Sequence, residues 1–216
     1  GSTLSFVDTV AEGAAYFYRV RTIRTDDNAD VLSGIVRGSA FGATFTATLT
    51  TDQSGLAGWC LVQRIEPAAL LRSGTRLRIF VRGSSVAALG LARITVSEGA
   101  APGAGDPFDS VGIPTTVALP PTVPPGASYM TPTIDYVLDH TRPLLVAFEV
   151  GTAAGDVRYA PPLSQSQASL YFKPGSATVP VAEALTSDRA GYTLAVPPGS
   201  PTGTSTVYLV ERIEVA

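Results

Sequence analysis

The sequence predicts an all-β protein, an antiparallel sandwich or barrel, and three observations carry that prediction. Apolar and polar residues alternate with a period of two along most of the chain, the pattern of strands with one face on a core and one toward solvent. Clusters of Gly, Pro or Asp-Asn interrupt the alternating stretches at about 8–15 residues, the rhythm of short strands joined by turns. The composition agrees: 216 residues hold 21 Gly and 17 Pro, with 45% hydrophobic and only 15% charged positions. Such a chain is too apolar and too weakly charged for disorder, and long enough to bury one large β core or two small ones.

Taken in order, the stretch "AYFYRVRTI" sets Tyr16, Tyr18, Val20 and Thr22 against Phe17, Arg19, Arg21 and Ile23. "FTATLTT" alternates Phe45, Ala47 and Leu49 with threonines, and "TRLRIFVRG" sets Leu77, Ile79 and Val81 against Arg76, Arg78, Phe80 and Arg82. "ARITVSE", "LLVAFEV", "ASLYFKP", "YTLAVPP" and "TVYLVERIEV" repeat the pattern. One helical turn is expected in "EPAALLRSG", residues 66–74, with Pro67 near its start and Gly74 after its end, as a crossover between sheets. The Gly/Ala/Pro-rich stretch 97–110 reads as a long loop or internal linker. Four prolines in 118–128 predict an extended edge segment.

The formal charge of −3 supplies no electrostatic footprint for nucleic acid or an anionic membrane, so neither partner is expected. No apolar run approaches the roughly 20 residues needed to span a bilayer, so no membrane insertion is expected. Cys60 is the only cysteine, which rules out an intrachain disulfide; between Trp59 and Leu61 it reads as a small buried apolar residue. A single free thiol fits folding in the cytosol better than in an oxidising compartment.

Candidate chemistry is sparse. The one histidine, His140, follows Asp139, and any serine triad would have to use it. No G-x-S-x-G elbow supplies the serine, and Asp-His-Thr-Arg-Pro between two strands predicts a hairpin turn, because Asp and Thr bond local backbone and Pro143 holds its predecessor extended. Catalytic residues are therefore not expected. Asp26, Asn28 and Asp30 alternate as calcium-loop ligands do, but Val31 stands where the loop needs glycine and no glutamate follows at the twelfth position, so a polar hairpin tip is expected. Asp106 and Asp109, with Glu98 before them, are the candidate ligands for a structural calcium, the only cofactor considered; one Cys and one His cannot close a zinc site. Among the aromatic residues Trp59, Tyr129, Tyr136, Tyr159, Tyr171 and Tyr192, Trp59 reads as core, while Tyr129 and Tyr159 lie near Pro- and Gly-rich loops where a ligand could stack. The polar stretch 151–167 adds Asp156, Arg158 and Gln165 as candidate binding residues.

Two resemblances follow from these residues. Asp8-Thr9, Gly13, the strand Tyr16-Phe17-Tyr18-Arg19-Val20, the polar hairpin 26–30 and Ser33 resemble the closing strands of a fibronectin type III module over residues 1–38. The stretches "GLAGWCLVQRIEPAALLRSGTRLRIFVRGSS", "PTIDYVLDHTRPLLVAFEV", "VRYAPP", "ASLYFKPG" and "VYLVERIEV" resemble a jelly-roll domain of bacteriophage tail proteins and some secreted bacterial surface enzymes. The second resemblance implies a jelly-roll-like sandwich over 39–216, divided at most by the 97–110 loop. It implies a non-enzymatic virion module that assembles with other tail proteins or attaches to a host glycan, as a homo-oligomer on the virion exterior after assembly in the host cytoplasm. The alternative is a carbohydrate-binding module of a secreted bacterial enzyme.

Overall fold

The computed structural model describes residues 11, 14–23, 30–32, 36–118 and 122–216. Near the amino end, β1 (Ala15–Tyr18) pairs antiparallel with β4 (Val36–Ser39), and β2 (Arg21–Ile23) with β3 (Asp30–Leu32), so the segment folds back on itself as a ribbon. Asp8, Thr9, Gly13, Asp26, Asn28 and Ser33 lie outside the described residues.

The body is an antiparallel sandwich. Its strands are β5 (Gly42–Thr46), β6 (Thr51–Gln53), β7 (Cys60–Ile65), β8 (Gly74–Arg82), β9 (Leu89–Gly99), β10 (Ser110–Val117), β11 (Ser128–Met130), β12 (Ile134–Leu138), β13 (Leu144–Gly155), β14 (Val157–Tyr159), β15 (Leu163–Ser164), β16 (Ala168–Lys173), β17 (Thr193–Leu194), β18 (Thr204–Ser205) and β19 (Val210–Val215). One sheet runs β10-β9-β13-β7-β16-β17; the other runs β8-β19-β5 with β11 and β12 both paired to the free side of β8. Numbering β5, β7, β8, β9, β10, β12, β13 and β19 from 1 to 8, the sheets read 1-8-3-6 and 2-7-4-5. That is the jelly-roll strand order. β16 is an extra strand added outside β7.

The core lies between the sheets. Leu77, Ile79 and Val81 of β8 and Ile213 and Val215 of β19 belong to the same buried cluster as Leu61 and Ile65 of β7, Ile94 and Val96 of β9, and Val146 and Phe148 of β13. The helical turn predicted at 66–74 is a 3-10 turn, Pro67–Ala69, and it carries the chain from β7 to β8 in the opposite sheet. Of the two readings of 97–110 the loop holds, over residues 100–109; its ends belong to β9 and β10, which pair antiparallel as a hairpin. Val123 anchors the Pro-rich segment, exchanging two backbone hydrogen bonds of 2.9 Å with Leu89.

The expectation of one solvent-facing side fails for β7 and the first part of β13. Every residue of β7 is buried, as are residues 144–150. Outward-pointing Val62, Leu145 and Ala147 form a second cluster with Phe108 and Ala184, flanked by Tyr171 and Tyr192. The 100–109 loop and the irregular segment 174–192 thus cover the outside of the six-stranded sheet as a third layer. Polar clamps hold it there. Arg64 donates to the carbonyls of Ala100 and Pro107, each at 3.0 Å. The Glu149 carboxylate accepts the Ala184 N–H at 2.9 Å, and the Thr95 hydroxyl donates to the Ala184 carbonyl at 2.9 Å. Arg189, only 1% exposed, donates its guanidinium to the carbonyls of Phe108, Glu183 and Ala184. Where the layer leaves β16, Gly58 and Gly175 meet backbone to backbone; a Cβ on Gly58 would stand 2.1 Å from the Ser176 carbonyl oxygen. Among the described residues no helix is long and apolar enough to cross a membrane.

Candidate functional site

Asp139 and His140 form a turn, but not a hairpin. β12 pairs with β8 and β13 with β7 and β9, so residues 139–143 carry the chain from one sheet to the other. Asp139 Oδ1 accepts the backbone N–H of Thr141 at 2.9 Å and its hydroxyl at 2.8 Å, and the Arg142 N–H closes on the Asp139 carbonyl at 3.1 Å. The first of these bonds is the main cause that holds the Asp139 carboxyl below its ordinary value. A serine does lie close, against expectation: Ser73 Oγ is 2.7 Å from His140 Nδ1 and accepts the His140 backbone N–H at 3.0 Å. The serine thereby clasps the turn, on an exposed surface, while Asp139 bonds Thr141 rather than the imidazole.

The acidic candidates are also engaged locally. Asp109 accepts the Asp106 N–H on Oδ2 at 2.9 Å and the Arg189 N–H on Oδ1 at 2.7 Å. Glu98 pairs with Arg142 at 2.5 Å. Among the described residues no three Asp, Glu, His or Cys side chains converge as a metal site would require.

The binding candidates divide. Arg158 donates to the Leu49 carbonyl at 2.9 Å and faces Asp52 at 3.6 Å, so it fastens β14 to the preceding strand segment. Gln165 donates to the Thr204 carbonyl at 3.0 Å and ties the turn after β15 to β18. Asp156 is half-buried at the bend between β13 and β14, and Tyr129 on β11 packs against the core. Tyr159 lines a cleft.

That cleft, of about 290 Å³, opens between β17 with the 195–198 segment on one side and the β6–β14 ribbon on the other. Its walls include Gln53, Tyr159, Phe172, Pro197, Pro198 and Tyr208, and among the described residues no charged side chain lines it. Tyr159 stacks on Tyr208 with ring centroids 5.0 Å apart and planes 27° apart; behind them Phe172 stacks on Trp59 at 5.3 Å and 25°. The Tyr208 hydroxyl donates to Gln53 Oε1. Burial pushes the Tyr208 hydroxyl up to about 12, so it stays protonated and a donor at neutral pH. A smaller cavity of about 100 Å³ continues inward past Trp59 and Leu61 and shares Gln53, Phe172, Ala195 and Tyr208 with the outer cleft.

The backbone beside Tyr208 is unusual. Leu209 has φ +64°, the one described non-glycine residue in the left-handed region, and the Val210 N–H closes on the Tyr208 carbonyl at 2.6 Å. This γ-turn kinks the entrance to β19, so that Leu209 stays in the core while Tyr208 stands in the cleft wall. Buried Gln63 holds the kink from beneath, accepting the Tyr208 N–H at 3.0 Å and donating to the Ser169 carbonyl at 3.0 Å.

Sequence reasoning missed Gln53, Phe172 and Tyr208, because each sits in a stretch that reads as an ordinary strand or turn. Trp59, read as core, does pack against the core cluster, and its ring also backs the cleft through Phe172. No family model matches the chain, and no curated protein is similar enough to count as a relative.

Proposed function

We propose that this chain is a non-enzymatic recognition module, a rigid jelly roll that presents a ligand cleft and its flanking loops on the exterior of a larger assembly of the phage-tail or virion type. The observation that carries the reading is the aromatic cleft. Stacked rings, a hydrogen-bonded glutamine and a kinked strand build an open concave site from five separate chain segments, which is how scaffolds present binding residues. The residues on which a hydrolase would depend support it from the other side: Asp139 and Ser73 are both spent on holding a turn.

Light scattering on the purified chain over a concentration range tests the assembly part of the reading. A stable trimer or larger ring is expected. A monomer at every concentration would overturn the virion assignment. It would leave the same cleft in a carbohydrate-binding module of a secreted enzyme, the second reading that the stacked tyrosines favour.

A further inference from the structure

We propose that the cleft is a saccharide subsite that takes one uncharged pyranose ring, stacked on Tyr159 and hydrogen-bonded by Gln53; this rests on the recognition reading above and names its ligand class. The argument begins with charge. Among the described residues no charged side chain lines the cleft, and Arg158 and Asp52, next in sequence to Tyr159 and Gln53, are occupied: Arg158 faces Asp52 at 3.6 Å and donates to the Leu49 carbonyl, while Asp52 accepts the Ser85 N–H at 2.9 Å. A charged ligand would lose its hydration here with no partner to replace it, so a neutral ligand is selected.

Shape and polarity narrow the class. The stacked Tyr159–Tyr208 pair holds a ring in the wall at fixed tilt, and Pro197, Pro198 and Val196 face it from the other side. Flat apolar walls match the C–H faces of a pyranose. Its rim of hydroxyls needs donors and acceptors at the edge, which Gln53 supplies. Its Oε1 is taken by the Tyr208 hydroxyl, so the amide is held in place and its Nε2 donors are left for a sugar oxygen. The volume, about 290 Å³, lies at the lower limit of small-molecule sites, near about 300 Å³, and suits one ring rather than a run of them. The left-handed Leu209 adds independent weight. A strained backbone of this kind persists only where the surroundings enforce it, and such residues gather at ligand sites; here it places Tyr208.

The test is titration of the full chain, by calorimetry or saturation-transfer NMR, with methyl pyranosides of neutral hexoses and N-acetylhexosamines. Sialic acid and glucuronic acid serve as charged counterparts. At least one neutral pyranoside is expected to bind and both acids to bind weakly or not at all. Tyr159→Ala is expected to weaken binding about tenfold or more, the loss that one aromatic stack implies. Gln53→Glu keeps an acceptor for the Tyr208 hydroxyl yet removes the donors and adds charge, and is expected to weaken it similarly. Val196→Arg changes an exposed wall residue, 51% accessible, so it is expected to block the cleft with the melting temperature unmoved. Binding of the acids alone, binding of no pyranoside, or variants that bind like the parent would each overturn the subsite. If the chain then still adheres to intact cells, the recognition reading survives and only the ligand class has failed.

Discussion

Cys60 shows how far the surroundings of one residue can alter its chemistry. It is fully buried on the outer face of β7, and burial is the main cause that pushes its thiol from an ordinary 9.0 up to about 11. The native thiol is therefore expected to ignore a disulfide reagent such as DTNB at pH 8 and to react in full once the protein is denatured. A linked effect follows on stability. The unfolded thiol ionises near 9.0 and the folded one only near 11, so the contribution is intact below pH 9 and is lost as pH rises toward 11. Two pH units correspond to roughly 3 kcal/mol, and denaturant midpoints measured from pH 8 to 11 should fall less steeply in Cys60→Ala than in the parent. The sequence did place Cys60 in the core, from its neighbours Trp59 and Leu61. The buried Tyr192 hydroxyl against it, which finds no oxygen or nitrogen partner, comes from a segment 132 positions later and was not legible.

At the scale of elements, the third layer is the feature that local pattern did not reveal. "LLVAFEV" and "CLVQRI" carry apolar side chains on both faces, and a strand buried on both faces reads as a continuous run rather than an alternation. The covering segment, residues 174–192, has neither the period of a strand nor that of a helix. It is held by side chains reaching from the sheet and by Arg189 bonding three carbonyls. Replacing Arg189 by alanine leaves the Phe108 carbonyl without its donor in a buried layer, while the Glu183 and Ala184 carbonyls keep the Thr186 N–H and the Thr95 hydroxyl. One such unsatisfied group costs about 1–3 kcal/mol, so the variant is expected to lose roughly 2 kcal/mol in urea unfolding, and hydrogen exchange should show 100–109 and 174–192 opening before the sandwich. An intact layer in that variant would mean that apolar packing on Phe108 and Ala184 suffices. The crossovers at 66–74 and 139–143 were more legible, since Pro67, Gly74, Asp139 and Pro143 punctuate them. Their punctuation marks a turn but is silent on whether the next strand joins the same sheet.

The whole molecule is governed by non-local pairing. Phe148 sits on β13 between β7 and β9, fully buried, where both neighbours meet the opposite sheet. Phe148→Ala should cost about 3–5 kcal/mol, the usual result of emptying a large core site. A melting curve or urea titration checks it, with a loss under about 1 kcal/mol arguing that the two sheets are not one cooperative core. The cleft is likewise a whole-molecule property. Gln53, Tyr159, Phe172, Pro197 and Tyr208 are spread over more than 150 positions of chain and meet only because β6, β14, β16 and the start of β19 converge at one side of the sandwich.

By itself the sequence determined that the protein is all-β and antiparallel, where most strands and turns fall, and that Asp139-His140 belong to a turn. Those properties rest on period-two patterning and turn chemistry, which act over a few residues and are written locally. The resemblance already implied a jelly-roll-like sandwich; tertiary structure alone decided which strands fill its order, the covering of one sheet on both faces, and the gathering of an aromatic cleft around a left-handed Leu209. Strand order and convergence depend on which distant segments bury one another, and the energy that selects them belongs to pairs of residues far apart in the chain.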